Sequence, residues 1–432
     1  MGMLFNIFLF TFFLSTLGPI YLNLPIFINT TWGIMKLLAL LLLFASLWRA
    51  VKKGKLEIVK NPLFVPVSVY FMAMTASLLV AQNLGAAITD LTTIAFGLLF
   101  FYLAFSFFSS KKQIYWFFSV VLLSAVFVSL IGLVSFLAPG LYKGVAKNFI
   151  HEASYRLYLF NRERGRIFPL WDIELMIPFF LFLFFQKEKI LRRVGMIGGG
   201  LVSLIVFLTN FRYRFLAFIF GIITYPILNK RFKKFLPLLI LLAIVFGGYL
   251  FWAQNVLGVT IITRFLLDDP QLDILPLQAR MEMAWQSFEM FISSPLLGVG
   301  LGNYFDNFSL RVGYAGPPVY YYGLPHEAFL VLVFENYKGP HNLFFSTIAE
   351  TGIIGLAALL YLLKSLLNQD ILLFRRVKEK TQSRQITTVL IISSWATILA
   401  AQFININTSL APLIFFWTTR GIIAAIGQKK IL

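Results

Sequence analysis

The chain has no cysteine, only three histidines, and 18 acidic residues against 37 basic ones. The absence of cysteine excludes disulfide bonds, iron–sulfur clusters and thiolate-bound metals. Charged residues make up only 13% of the chain, whereas soluble domains carry about 25%. Because 59% of the residues are hydrophobic and the mean hydropathy is +0.82, the composition predicts a polytopic membrane protein.

Twelve apolar segments have the length of a membrane-spanning helix, which takes about 20 residues. They cover residues 3–18, 33–49, 62–81, 87–108, 114–138, 168–186, 193–209, 212–228, 235–254, 342–366, 386–405 and 409–427. The first segment lacks a basic n-region and a small-residue cleavage site, so we expect a retained helix rather than a signal peptide. The predicted fold is all-α, with residues 1–432 forming a single integral membrane domain.

Basic residues are concentrated in the loops that follow the even-numbered segments. Lys52, Lys53 and Lys55 follow the second segment, and Lys111 and Lys112 follow the fourth. The positive-inside rule then places these loops and both termini in the cytoplasm. This topogenic signal accounts for the formal net charge of +19, so no nucleic-acid partner is expected.

Two long loops are expected on the opposite side of the membrane, at residues 139–167 and 255–341. They hold the three histidines, His151, His326 and His341. The first loop also carries six basic residues that oppose the positive-inside bias: Lys143, Lys147, Arg156, Arg162, Arg164 and Arg166. An anionic ligand would explain them, with Arg166 nearest the membrane. The alternative is a solvated loop facing anionic lipid headgroups.

Arg212 and Arg214 lie where the seventh and eighth segments meet, with almost no loop between. Helical positions two apart point about 200° away from each other, so only one of these arginines can face a given cavity. A guanidinium at this boundary is suited to clamp a diphosphate with two hydrogen bonds. The alternative is that each side chain snorkels to the lipid headgroups.

Residues 276–292 repeat apolar positions at helical spacing, which predicts an amphipathic helix lying on the membrane surface. Arg280 is its only basic residue. Three glycines follow at Gly298, Gly300 and Gly302. Because they do not follow a strand in a βαβ unit, they predict a flexible turn with close backbone packing rather than a nucleotide loop.

His341 stands where the second long loop meets the tenth apolar segment. An imidazole there can take up a proton near neutral pH, and Asn342 is the expected N-cap of the following helix. The N–H groups of a helix start suit an anion. Glu350 falls on the helix face opposite His341, so we expect it to bond a neighbouring helix or a pocket hydroxyl instead. His326 is a further supporting candidate.

Three groups of residues, taken in order, resemble the O-antigen ligase superfamily. The first is Thr209, Arg212, Leu216 and Ala217. The second is Arg280 with Trp285, Met290, Pro295, Leu296, Gly298 and Gly300. The third is Pro340-His341-Asn342 with Glu350-Thr351-Gly352 and Gly355. Phe211 replaces a serine common in the family, and Trp171-Asp172 stands where Pro-Asn is expected. That departure leaves open which of Arg162, Arg164 and Arg166 matches the family's arginine.

The resemblance implies a GT-C-like enzyme that moves glycans from undecaprenyl diphosphate at the periplasmic face of a bacterial inner membrane. It implies that Arg212 and Arg280, with Arg166 as a third candidate, bind the diphosphate. His341 would deprotonate the acceptor hydroxyl, and Glu350, Asn342, Arg214 and His326 are supporting candidates. The expected transfer inverts the anomeric centre and uses neither a metal nor a cofactor.

The acceptor is less defined than the donor. We favour a ligase that joins polysaccharide to lipid A–core, within a membrane-lipid environment. A polymerase that joins carrier-linked repeat units and a protein O-oligosaccharyltransferase share the same donor chemistry and remain alternatives. A twelve-span flippase is the alternative from another class, and it predicts charged or broken helices at mid-membrane.

Overall fold

The computed structural model describes residues 2–17, 31–53, 61–149, 172–209, 212–257, 274–311, 340, 342–377, 381–402, 410–429 and 431–432. All regular secondary structure in these ranges is helical. The first eight helices are α1 (Gly2–Thr16), α2 (Thr31–Lys53), α3 (Phe64–Ala76), α4 (Leu84–Phe107), α5 (Lys111–Leu137), α6 (Pro139–Phe149), α7 (Ile177–Phe184) and α8 (Lys189–Thr209). Short 3-10 turns at Ser77–Val80 and Ile173–Met176 follow α3 and precede α7.

The remaining helices are α9 (Arg212–Leu228), α10 (Phe232–Leu257), α11 (Ile274–Ser293), α12 (Tyr304–Arg311), α13 (Leu343–Arg376), α14 (Gln382–Ala400) and α15 (Leu410–Lys429). Each of the twelve predicted segments overlaps one of these helices. Six described helices are long and apolar enough to cross a membrane, and four shorter apolar ones accompany them. The all-α, polytopic architecture predicted from the composition is therefore confirmed.

Phenylalanine, with 49 copies in the chain, fills much of the core. The rings of Phe118 and Phe179 meet edge to face with centroids 4.6 Å apart, which joins α5 to α7. Aromatic pairs in this geometry contribute about 0.5–1.5 kcal/mol beyond their buried area.

The pairing of α4 with α15 is the most extensive helix contact in the described residues. Gly421 permits it, because a Cβ there would stand 2.5 Å from the carbonyl oxygen of Phe101. At the far end, the Lys429 ammonium donates to the carbonyls of Phe105, Ser106 and Phe108. A cation at the C-terminus of α4 both satisfies its free carbonyls and opposes its dipole.

A buried ion pair joins α13 to α15. Arg420 is fully buried, and its Nη1 lies 2.7 Å from both carboxylate oxygens of Asp370. The indole Nε1 of Trp395 on α14 donates to Asp370 Oδ2 at 2.7 Å. Asp370 thus balances the charge of Arg420, although Nε and Nη2 of the guanidinium have no hydrogen-bond partner among the described residues.

Helix α13 is broken at Gly352, where the sequence analysis expected a continuous helix over 342–366. Gly352 has φ 61° and ψ −158°, a region that only glycine occupies readily. The helix therefore consists of an N-terminal segment, residues 343–351, and a C-terminal segment, residues 353–376. Gly355 serves helix packing, since a Cβ there would stand 3.3 Å from Cε of Met74 on α3.

Candidate functional site

The N-terminal segment of α13 begins directly after His341 and is fixed by capping contacts. Asn342 is its N-cap, as predicted, and the side-chain oxygen accepts from the amides of Phe344 and Phe345 at 3.0 and 3.1 Å. The amide of Leu343 donates to the carbonyl of Ala401 at the end of α14, 2.9 Å away. His341 itself, like Arg166 and His326, lies outside the described residues.

These contacts correct one expectation about the helix start. Its first amides were predicted to present free N–H groups to an anion. In the structure the amides of Leu343, Phe344 and Phe345 already have protein partners. Their hydrogen bonds hold the segment in place, so a ligand at this point would rely on side chains rather than on the helix start.

At the start of α9, Arg214 is buried and engaged by two carboxylates. Its guanidinium lies 2.9 Å from Asp172 Oδ1 and 3.5 Å from Glu174 Oε2. Both acidic residues stand at the beginning of the short helical stretch that leads into α7. Arg214 therefore joins α9 to α7, and its charge is balanced within the protein. Arg212 is the first residue of α9, and its side chain lies outside the described part of the chain.

The predicted amphipathic helix over 276–292 is confirmed as α11, Ile274–Ser293. It packs against α13 and buries Met283, Ser287 and Met290. Its opposite face exposes Trp285, Phe288 and Ile292, which are large apolar side chains. This pattern agrees with a helix that meets lipid on one side, and its position on the membrane surface stays a prediction. Arg280 belongs to α11, and its side chain is not among those described.

Residues 295–303, which we call the glycine turn, connect α11 to α12 and pack against the break of α13. Gly298, Gly300 and Gly302 have φ values of 68°, 98° and 69°, which favour glycine. A Cβ at Gly298 would stand 2.5 Å from the carbonyl oxygen of Ala349, and one at Gly300 would stand 2.5 Å from Cα of Ala81. The turn thus requires glycine for close backbone packing, as the sequence analysis predicted.

Four backbone hydrogen bonds join the glycine turn to the broken helix. The amides of Val299 and Gly300 donate to the carbonyls of Ala349 and Glu350 at 2.9 and 3.0 Å. The amides of Ile353 and Ile354 donate back to the carbonyls of Pro295 and Leu296 at 2.8 and 3.4 Å. A break in an apolar helix leaves such groups without partners, and here the turn supplies them.

On its other side, the glycine turn is bonded to the connection between α3 and α4. The amide of Leu301 donates to Ser77 Oγ at 3.2 Å. Asn83 and Asn303 exchange two bonds, from the Asn83 amide to Asn303 Oδ1 at 2.6 Å and from Asn303 Nδ2 to the Asn83 carbonyl at 3.2 Å. The turn is therefore held between two parts of the helical domain that are distant in sequence.

Glu350 is buried and points at this turn. Its carboxylate faces the backbone amides of Gly302 and Tyr304. This agrees with the expected contact to a neighbouring helix or a hydroxyl, because Tyr304 is the first residue of α12 and the Ser346 side chain also interacts with the carboxylate. The side chain of Asp90 on α4 also packs against Gly302. Its Oδ2 is 3.2 Å from the position that a Cβ of Gly302 would occupy. Two carboxylates therefore flank Gly302.

The described helices define a polytopic membrane protein. A family model described as O-antigen ligase matches residues 197–360. The matched range includes Arg212, Arg280, His341 and Glu350, and Arg166 precedes it. This match supports the O-antigen ligase superfamily predicted from the motifs, and the family implies an activity of ligase or polymerase type on lipid-linked glycan substrates. No curated protein matches the chain.

Sequence reasoning missed four contributors to this region. Asp172 and Glu174 had a signal, because Trp171-Asp172 departed from the expected pattern. Tyr304 had none, since an aromatic residue after a glycine turn is common. Asp90 lies within an apolar run, where an acidic residue is itself a hint of function or of a buried bond.

Proposed function

We propose that this protein is an O-antigen ligase that transfers polysaccharide from undecaprenyl diphosphate to lipid A–core at the periplasmic face of the inner membrane. The observation that carries the proposal is the family match over 197–360, which contains the three candidate residues Arg212, Arg280 and His341. Two neighbouring residues are held in place: Asn342, next to His341, caps α13, and Arg214, two residues beyond Arg212, is paired with Asp172.

The proposed reaction is a single displacement at the anomeric carbon. The acceptor hydroxyl oxygen forms the new glycosidic bond, and the bond from that carbon to the diphosphate oxygen breaks. His341 takes the proton of the hydroxyl, and undecaprenyl diphosphate leaves as a stable anion. One displacement without a covalent intermediate inverts the anomeric centre.

The diphosphate requires charge neutralisation rather than a strong acid. Arg212 and Arg280 are assigned to this task, with Arg166 as a third ligand, since guanidinium groups bind phosphate oxygens in pairs. Arg214 is not assigned to it, because Asp172 and Glu174 already balance its charge. These arginines can do the electrostatic work, so the proposed mechanism needs no divalent metal.

The broken helix α13 also bears on the transporter alternative, which predicts such breaks. In transporters a break typically lines a substrate cavity. Here the glycine turn forms hydrogen bonds with the backbone groups on both sides of Gly352 that the break leaves without a helical partner. The buried charge of Arg420 is likewise paired with Asp370. Both features are satisfied within the protein, which favours an enzyme over a transporter.

The proposal is tested by reconstituting the purified protein with undecaprenyl-diphosphate-linked glycan and lipid A–core, and analysing the products by gel and mass spectrometry. We expect glycan joined to lipid A–core in the wild type and none in His341→Ala. His151→Ala serves as a matched control that keeps activity, since His151 has no assigned role. Longer carrier-linked chains without lipid A–core product would indicate a polymerase instead. Normal transfer by His341→Ala would exclude the proposed base.

A further inference from the structure

The break at Gly352 separates the part of α13 that follows His341 from the rest of the helix. An unbroken helix carries its direction through the ladder of i→i−4 hydrogen bonds. The ladder is interrupted after residues 343–351, because the backbone at Gly352 has a positive φ and is not helical. The direction of this segment is therefore set by its partners, and the glycine turn makes two backbone bonds to it, at Ala349 and Glu350.

Tyr304 connects the same segment to the helix that carries Arg280. Its buried hydroxyl donates to the carbonyl of Met283 on α11 at 2.7 Å. Its backbone amide faces the carboxylate of Glu350. Met283 is three residues beyond Arg280, less than one helical turn. One tyrosine thus joins the backbone near Arg280 to the segment behind His341.

A glutamate at position 350 carries a desolvation penalty that simple packing would not require. A buried carboxylate loses its hydration and stabilises the fold only when it is hydrogen-bonded, whereas an apolar side chain of similar size would pack without that loss. A carboxylate has, however, two directed acceptor atoms. These suit the task of holding the amides of Gly302 and Tyr304 at a defined place.

We propose that Glu350 and Tyr304 are positioning residues, which fix the segment behind His341 against α11 and thereby set the distance between the proposed base and the arginine that binds the diphosphate. This inference rests on the proposed function. Transfer requires the acceptor oxygen to lie in line with the anomeric carbon. A misplacement of about 1 Å by groups remote from the chemistry can cost roughly 100-fold in rate.

Kinetics of three variants test the proposal. Tyr304→Phe removes only the bond to Met283, and we expect kcat to fall about 10- to 100-fold. The KM for the donor should stay near the wild-type value, since the residues assigned to the diphosphate are unchanged. Glu350→Gln keeps one of the two acceptor oxygens and should retain part of the activity, whereas Glu350→Ala should lose it. Tyr361→Phe, an exposed tyrosine on the C-terminal segment, is the matched control and should be unaffected.

A distance measurement separates positioning from chemistry. Because the chain has no native cysteine, a thiol-reactive spin label attaches only to the two introduced cysteines. Exposed Phe288 on α11 and exposed Phe345 on the N-terminal segment form the reporting pair. Leu360 and Leu372, both exposed on the C-terminal segment, form a reference pair whose distance should not change. We expect Tyr304→Phe to shift or broaden only the distance between 288 and 345.

The outcomes distinguish the two proposals. A fall in kcat with an unchanged distance between 288 and 345 would overturn the positioning role, as would equal inactivity of Glu350→Gln and Glu350→Ala. A shifted distance with normal kcat would overturn the link to catalysis. If the wild type transferred no glycan, the proposed function would fall. The distance would then still decide whether Tyr304 and Glu350 hold the two helices together.

Discussion

The replacement Gly352→Ala should destabilise the protein strongly. A residue with a Cβ in the backbone conformation of Gly352, φ 61° and ψ −158°, costs about 1–3 kcal/mol. The new Cβ would stand 2.5 Å from the carbonyl carbon of Leu296 and 2.8 Å from the amide nitrogen of Gly298. These are backbone atoms that cannot rotate away, and overpacking of this kind costs about 1–3 kcal/mol more. Together we expect a loss of roughly 2–6 kcal/mol.

Thermal unfolding in detergent, followed by tryptophan fluorescence, measures the effect, with glycan transfer assayed in parallel. Gly200→Ala is the matched control, because Gly200 is helical in α8 and a Cβ there would meet no heavy atom within 4 Å. Its free energy of unfolding should rise by up to about 1 kcal/mol, since alanine favours the helix over glycine.

A Gly352→Ala protein with the Tm and the activity of the wild type would refute the reasoning. It would show that α13 can continue through this position, so the glycine turn would not be needed to satisfy a break. Loss of activity at unchanged Tm would instead mean that the helix shifts locally without loss of the fold.

Three further predictions concern buried charges and caps. Asp370→Asn should lower stability by about 3–5 kcal/mol by leaving Arg420 without its anion, and adding Arg420→Met should recover much of the Tm. Lys429→Met should cost about 1.5–3 kcal/mol, measured by the same unfolding assay, because the α4 carbonyls lose a charged donor. Arg214→Met should lower the Tm, whereas Arg212→Met should abolish transfer at an unchanged Tm; the reverse pattern would contradict the roles assigned here.

The local features of this protein follow from short stretches of sequence. Long apolar runs required helices, because a backbone in lipid must satisfy its own hydrogen bonds. Asn342 indicated a helix start because its side chain can cap the first amides. The spacing of apolar residues over 276–292 indicated α11. The glycines at 298, 300 and 302 indicated close backbone packing. Each of these signals depends on residues within a few positions of one another.

Contacts between distant parts of the chain were decided only by the tertiary structure. Gly352 in an apolar run is compatible with helix packing or with a break, and the glycine turn some fifty residues earlier in the chain decides between them. The pairing of Arg214 with Asp172, and of Arg420 with Asp370, depends on which helices become neighbours. A charged side chain in an apolar segment requires a partner, but its own sequence does not specify which helix will supply that partner.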